Sequence, residues 1–470
     1  MAAVIASPAP PTAPAGPGAV QGPLARESTS SGTSNEALVL DEKRGGVKQQ
    51  KRRSFLGLGK PTTNTPAAAD DTPASKSKRR SQDALVTAAR RGNTSAAPGR
   101  AKTFWRAARE LYKLDQAQVD AFMDSYVIYS LDWSDEDAMR RALGPDFQRR
   151  VGDCLRAYYG VLNHLCALGD VEKMYIPPLM DKALSVRENQ LAYEESIAKD
   201  LGLKPGDRVL DLGCGRGRVA AHMATLVPGI RVTGLNIDPN QLAQARAFNA
   251  TELGLPNDFV EHDFNELPLP FADDSMDAFY QIQALSLCRD HKSLFTELYR
   301  VLRPGARLSI LDWVSLPAYD AANPEHAELM RRVKPLIGAV GTPTPASMET
   351  ALREAGFEVV RSDNASVDGL QAPLIDNVDV YFRSLRKLIL GLVRAKVLPP
   401  HLKTLMNRLC LDGQAFVEMD NRRLTTTSHR IIAQKPAAPA AVAPTTAAAT
   451  PTAAETAEPA PTAAATATTA

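Results

Sequence analysis

Behind the apolar pair Val209-Leu210 the chain places Asp211, and then glycine at 213, 215 and 217, in the stretch RVLDLGCGRGRVAAHMA (208–224). Glycine admits backbone with positive φ and lets a ligand lie against bare main chain. Two readings are open: a tight turn with no tenant, or a loop that cradles a ligand. The phosphate-cradling spacing GxxxxGK followed by Ser or Thr is absent. An acid two residues before the first glycine would repel a pyrophosphate but suits a ligand with a cationic amino-acid end.

The loop's place is set by the elements around it. RVLDLG (208–213) reads as a strand and 218–227 as a helix; 231–236 reads as a strand and 239–254 as a helix. DFVEHDF (258–264) and MDAFYQIQAL (276–285) read as the third and fourth strands. Next come a helix over 291–302, a turn at Arg303-Pro304-Gly305 and a strand over 306–313. A helix at 345–356, a strand at 357–363, helical sequence over 376–409 and a last strand at 428–436 complete the series. This alternation predicts an α/β fold: a Rossmann-like, doubly wound, mostly parallel sheet with helices on both faces. Ligands of such sheets bind beyond the carboxyl ends of the strands, at the switch point after the first one. The glycines stand there. Ahead of the sheet, Phe104, Ala108, Leu111 and Leu114 begin a helical periodicity that runs to about 164, and 189–201 reads as a further helix.

The flanks are of another kind. Residues 1–101 are basic and rich in Ala, Pro and Ser, with Phe55 as their single aromatic before the folded part, and 436–470 repeat Ala, Pro and Thr. Neither stretch buries enough apolar surface to offset chain entropy, so both are expected to be disordered. Formal net charge is +2; the first hundred residues carry +8, which leaves −6 for the remainder. A mildly acidic body lacks the basic footprint of a nucleic-acid enzyme, so no nucleic-acid partner is expected. The basic clusters at 48–60 and 75–80 read first as solvated charge, with a nuclear signal or an anionic-membrane tether as alternatives, and organellar targeting stays open. No apolar run is long enough to span a membrane. Five scattered cysteines without a CxxC pair suggest neither a metal site nor a disulfide framework, and point to an intracellular protein.

The glycine pattern and the segments C-terminal to it resemble class I S-adenosylmethionine-dependent methyltransferases. VTGLNIDPNQLAQAR resembles the family's second-strand segment, and EHDFNELPLPFADDSMDAFY its third and fourth motifs. The resemblance implies S-adenosyl-L-methionine as cofactor. It implies a cofactor site made by Asp211, Gly213, Cys214, Gly215, Gly217, Asn236, Gln241, Asp263, Phe264 and Gln281. In it Asn236 takes the ribose position and Asp263 meets the adenine amine.

Further stretches are similar to the sterol 24-C-methyltransferase family: DWVSLPAYDAANPEHAEL (312–329), with Tyr319, Asp320, Asn323, Pro324, Glu325 and His326 at the family's spacing, and ALREAGFEVVRSDNAS (351–366). C-methylation of a sterol or triterpenoid-like lipid is the implied activity. The domains then read as a helical cap and substrate segment (102–188), a cofactor-binding core (189–320) and a C-terminal region like that of the sterol enzymes (321–435).

The sequence departs from that family in the acceptor region. Its Glu-Ala-Thr-Cys-His is Gln283-Ala284-Leu285-Ser286-Leu287 here, and an amide is no base near neutral pH. Acceptor-pocket candidates are Asp312, Trp313, Tyr319, Gln283 and Tyr175, with Glu194 and Glu195 behind them. His326 is expected to fix a loop. Two alternatives stay open: O- or N-methylation of a phenol, quinone or polyketide, and a non-catalytic cofactor binder. The expected partner is a small, lipid-like acceptor. The basic amphipathic segment 378–399 offers peripheral membrane contact, in the cytoplasm or on an endoplasmic-reticulum or other lipid surface.

Overall fold

A computed structural model of the chain describes residues 99–437 apart from 134 and 170. The expectations placed on the Ala/Pro/Ser-rich start, its basic clusters and the Ala/Pro/Thr end lie outside the described residues, except that 99–101 form the first turn of a helix. Four helices open the structure: α1 (Gly99–Lys113), α2 (Gln116–Asp124), α3 (Glu136–Leu143) and α4 (Phe147–Leu168). The periodicity read over 102–164 is therefore present, but broken. At Asp115 the side chain accepts from Gln118 N while Gln118 reaches back to Asp115 N. That reciprocal cap satisfies the open N–H groups of a new helix, so the chain restarts there. Ser185 and Glu188 do the same for α5 (Val186–Leu201), which ends on left-handed Gly202.

Strands and helices then alternate: β1 (Arg208–Leu212), α6 (Arg218–Leu226), β2 (Arg231–Asn236), α7 (Pro239–Arg246), β3 (Asp258–Glu261), β4 (Met276–Ile282), α8 (His291–Val301) and β5 (Leu302–Ser315). After them come α9 (Pro324–Ile337), α10 (Pro345–Glu354), β6 (Glu358–Asn364), α11 (Ala372–Arg394), α12 (His401–Leu409), α13 (Gly413–Asn421) and β7 (Thr425–Gln434). The strands make one seven-stranded sheet in the order β3-β2-β1-β4-β5-β7-β6. The first five are parallel, and β7 runs antiparallel between β5 and β6. This is the doubly wound α/β sheet that the alternation predicts.

Several element ends differ from expectation, each for a local reason. β3 stops at Glu261, and beyond it Asp263 accepts from Asn265 N to make a turn. β4 stops at Ile282 because Gln283 adopts a φ of 52°. Arg303-Pro304-Gly305 is already part of β5. The helix over 239–254 is α7 followed by a wider π turn at Ala247–Glu252. The helical stretch 376–409 breaks between α11 and α12, where Lys396 has positive φ and Pro399-Pro400 supply no N–H donors.

Successive residues of β1 feed the two faces of the sheet. Val209 packs with Ala220, Leu242 and Phe248, and Leu210 with Phe279, Leu294 and Leu298. Each large apolar side chain buried this way contributes about 1.5–3 kcal/mol, so both faces stay covered. A third core joins the two ends of the described chain: Leu111, Phe122, Tyr158 and Leu165 pack with Phe382, Leu405 and Met406. The cap over the sheet is thus built from α1, α2 and α4 together with α11 and α12. Among the described residues no helix is long and apolar enough to cross a membrane, and no cluster of His, Cys, Asp or Glu is placed to hold a metal ion.

Candidate functional site

All three glycines after β1 are left-handed, with φ of 75°, 53° and 66° at 213, 215 and 217. Packing separates them. A Cβ on Gly213 would lie 2.5 Å from that of Ala284, and one on Gly217 would meet Asn249, Ala245 and Phe259 within 2.8 Å. A Cβ on Gly215 would meet only Gln241 Oε1, at 3.2 Å. Gly213 and Gly217 are therefore required by the fold on both counts, whereas Gly215 presents bare backbone to a cleft. Gly213 N and Cys214 N both donate to Leu235 O at the end of β2, which pins the turn to the sheet.

Asp211 is buried under this turn and accepts from the Tyr280 hydroxyl at 2.9 Å. Burial, against the Tyr280 bond, pushes its carboxyl up to about 7. At the end of β2, Asn236 Nδ2 lies 3.4 Å from Gln241 Oε1, and Asn236 Oδ1 accepts from Ile237 N. Asp238 caps α7 by accepting from Asn240 N and Gln241 N. Asp263 Oδ1 accepts from Asn265 N and Nδ2 just beyond β3, and Phe264 packs between the cap and the sheet core. Gln281 is buried between Leu311 O and Ala284 N, with no group turned to solvent.

The cleft at the glycine turn measures about 70 Å³, with Asp211, Gly213, Cys214, Gly215, Arg216, Gln241 and Ile282 in its wall. It is the smaller of the two spaces that Gln241 borders and suits a small polar end. Gln241 also borders a wider cavity of about 600 Å³ between α7 and the cap, lined by Asp238, Asn240, Asn163 and His164 among others.

The segment 171–177 forms the opposite wall of the cleft. A buried polar network that no contiguous pattern announces holds it. Lys173 Nζ reaches both oxygens of Glu194, at 2.6 and 2.7 Å, Tyr175 Oη donates to Glu194 Oε1 at 2.6 Å, and His222 Nδ1 lies 2.6 Å from Glu194 Oε2. Burial alone would raise the Glu194 carboxyl, but the Lys173 charge and these hydrogen bonds outweigh it and hold it down at about 2. Arg216 adds a tether by donating to Glu172 O at 2.7 Å.

Behind this segment lies a cavity of about 230 Å³ with a wall rich in aromatic side chains: Tyr126, Tyr158, Tyr159, Tyr175, Phe382 and Phe416. Leu336, Ile337, Leu374 and Ile375 complete its apolar lining. Met174 and Tyr175 border both this cavity and the glycine-turn cleft, so they are the partition between them. Sequence reasoning found Tyr175 but missed the other rings, whose spacing on helices is that of ordinary core residues.

Gln283 borders the cavity, yet its polar atoms are taken up by the main chain. Its Oε1 accepts from Ile176 N at 2.9 Å, and its Nε2 donates to Ile176 O at 2.7 Å and Thr427 O at 2.8 Å. Gln371, which the sequence did not single out, makes a second clamp: it donates to Pro177 O at 2.9 Å and accepts from Thr427 Oγ1 at 2.9 Å. Two side-chain amides thus sew the partition segment to β7.

The other candidates lie outside the cavity wall. Asp312 accepts from Leu285 N and Trp313 N, both at 2.7 Å, and burial pushes its carboxyl up to about 7. Trp313 is buried in a satellite core with Met330 and Phe416. Tyr319 stacks on His326, whose Nδ1 accepts from Asp320 N and whose Nε2 lies 2.9 Å from Arg422. Glu195, beside Glu194 on α5, is half-buried.

The residues fit a cofactor with a cationic amino-acid end: a bare-backbone turn that a Cβ would fill, above a buried carboxylate. Residues 210–310 match the family model described as a methyltransferase domain. The chain is 34% identical over 212 residues to the methyltransferase phqN of Penicillium fellutanum, covering 45% of this chain and 60% of that protein. It is 28% identical over 257 residues to cycloartenol-C-24-methyltransferase of Arabidopsis thaliana, covering 54% and 73%. It is 27% identical over 302 residues to sterol 24-C-methyltransferase ERG6A of Gibberella zeae, covering 60% and 75%. Similar solved structures include the [4+2]-cyclase SpnF (20% identity, TM-score 0.48, 60% of this chain and 96% of that one) and the cyclopropane synthase MmaA2 of Mycobacterium tuberculosis (14%, 0.47, 56% and 89%). Residues 210–310 thus match a methyltransferase domain, the chain resembles the sterol 24-C-methyltransferases, and it spans 60% of the length of the phqN relative.

Proposed function

We propose that the chain is a C-methyltransferase that alkylates an alkene carbon of a sterol or triterpenoid-like lipid. The observation that carries this reading is the aromatic cavity that shares Met174 and Tyr175 of its wall with the glycine-turn cleft. S-adenosylmethionine, when bound, supplies a sulfonium methyl for in-line displacement. Gly215 would give it bare backbone, Asp211 would face its amine, and Asn236, Gln241, Asp263 and Phe264 would serve its nucleoside; Gly213, Cys214 and Gly217 shape the turn, and Gln281 holds Ala284 N behind it. The core is 189–320, capped by 102–188, and 321–435 adds two strands to its sheet and α11 and α12 to the cap.

Attack by an alkene forms a C–C bond as the methyl–sulfur bond breaks, leaving a thioether and a carbocation, which then gives up a proton to a basic oxygen of the wall such as a tyrosine hydroxyl. Aromatic faces stabilise such a cation by about 0.5–2 kcal/mol each when desolvated, and an apolar wall keeps water from quenching it. Transfer to oxygen or nitrogen instead calls for a base at the acceptor atom. The wall holds a single carboxylate, Asp379, and no histidine, so it is the aromatic lining and not the supply of bases that supports carbon as the acceptor.

The outer face of α11 exposes Val380, Tyr381 and Leu388 among Arg383, Lys387 and Arg394, while its inner face contributes Val378 and Phe382 to the cavity. Peripheral docking of this helix on an anionic lipid surface would bring an apolar acceptor beside its cavity.

The test is incubation of the full chain with methyl-labelled S-adenosylmethionine and a lipid extract, followed by mass spectrometry. A labelled sterol or triterpene is the expected product. Label on no sterol or triterpene would remove this acceptor class, and absence of cofactor binding in a calorimetric titration would overturn the enzyme reading.

A further inference from the structure

We infer that Asp379 reads a single hydroxyl group on the otherwise apolar acceptor. The inference rests on the cavity being the acceptor site. Asp379 lies on α11, is buried, and is the one carboxylate of the wall. Its Oδ2 is held by Gln414 Nε2 at 2.7 Å and Arg383 Nε at 2.9 Å. Its Oδ1 has no donor among the described residues. Opposite that oxygen stands Gly413, also in the wall, where a Cβ would come within 2.5 Å of Oδ1. The glycine keeps the approach to the oxygen clear.

The other charged group, the side-chain amide and two of the four phenols of the wall are engaged, Tyr158 Oη by Pro335 O at 3.2 Å among them. The Arg408 guanidinium binds Asp412 at 3.1 Å and lies 4.0 Å from the centre of the Tyr126 ring. The Gln283 amide is saturated by main chain and Tyr175 Oη by Glu194. A carboxylate oxygen that borders the cavity and that no described protein donor holds is free to accept from the ligand. An ammonium is disfavoured, because Arg383 already balances Asp379 and Arg408 adds a second positive charge to the wall. A neutral hydroxyl can donate there without changing net charge. Because Gln283 and Tyr175 stand at the partition while Asp379 and Gly413 come from α11 and α13, the polar group read is a handle and not the reacting atom.

The experiment measures binding to the full chain of three probes: a monohydroxysterol, its methyl ether and the matching ketone. The wild type should bind the alcohol at least about tenfold more tightly than the ether, as expected for a hydrogen bond to a charged group. In Asp379→Asn, Arg383 and Gln414 are donors and hold the amide oxygen, so the NH2 group turns to the cavity. The preference should then invert toward the ketone, which accepts. Gly413→Ala, which crowds Oδ1 without touching its charge, should erase the alcohol preference and serves if Asp379→Asn fails to fold. Equal wild-type affinity for alcohol and ether, or an alcohol preference retained in Asp379→Asn, would overturn the inference. Failure of all three probes to bind would overturn the acceptor reading beneath it.

Discussion

The two sides of the partition are built in opposite ways. The donor side is centred on one short run of chain, Asp211 to Gly217, whose shape is dictated by left-handed glycines and by hydrogen bonds to the adjacent strand. The acceptor side takes a few side chains each from α4, α9, α11, α13, the turn after α2 and the segment 171–177, and no two neighbouring elements suffice. A site that reads an invariant ligand can be local. A site that reads a large apolar one must be assembled from distant helices, and its shape changes with any of them.

The largest expected effect falls on the wall between the sides. Glu194→Gln leaves Lys173 buried without its counter-charge, which should cost about 3–5 kcal/mol in urea unfolding. Glu194 titrates in the fold well below its ordinary value, so its contribution is complete above about pH 4.5 and disappears as pH falls toward 2. A variant that unfolds like the wild type would show the network to be incidental. Adding Lys173→Met should recover most of the loss.

Gly215→Val separates turn from cradle. The sheet should remain folded, with about 1–2 kcal/mol of backbone strain, while affinity for S-adenosylmethionine falls at least about a hundredfold in calorimetry. Gly217→Val should instead destabilise the fold, since its Cβ has no room. Equal outcomes for the two would erase the distinction between them.

On the acceptor side, Gln283→Glu replaces two donated bonds to carbonyls with repulsion. The KM for the acceptor should rise about tenfold while the cofactor Kd stays unchanged. An equal loss in both would show that this clamp positions the donor-cleft face of the segment as much as its cavity face.

The smallest effect is a pH slope. Burial raises the Asp211 carboxyl to about 7, above its unfolded value, so its ionisation weakens the fold as pH rises through 7. A cationic ligand favours the ionised form, so cofactor affinity should climb by up to about tenfold per pH unit below 7 and level off above it. Asp211→Asn should flatten that slope.

The contrast also explains what the sequence disclosed. The sheet was legible because strand and helix periods alternate over a long stretch, and the glycine turn because positive φ leaves a residue-type mark at fixed spacing. Even there, the different duties of Gly215 and its neighbours depend on Ala284, Asn249 and Phe259, which only the fold brings near. The acceptor wall left no such mark. Tyr126, Tyr158 and Phe382 sit at core spacing, and they pack in the cap core as core residues do. Gln283 drew notice through its type, but its partners Ile176 and Thr427 lie 107 and 144 residues away, so its clamp could not be read. Asp312 and Trp313 close the strand read over 306–313, at the end of the sheet where ligands bind. Burial there serves a turn and a satellite core.

The most direct test of the whole arrangement is the site of methylation. The full chain is supplied with S-adenosylmethionine bearing a labelled methyl group and with a sterol that has both a side-chain alkene and a free hydroxyl. The product is then located by nuclear magnetic resonance. The expected result is label on a former alkene carbon, with the hydroxyl unchanged. Label on the hydroxyl oxygen would contradict an aromatic cavity built for a cation, and with it the division between the two sides of the partition.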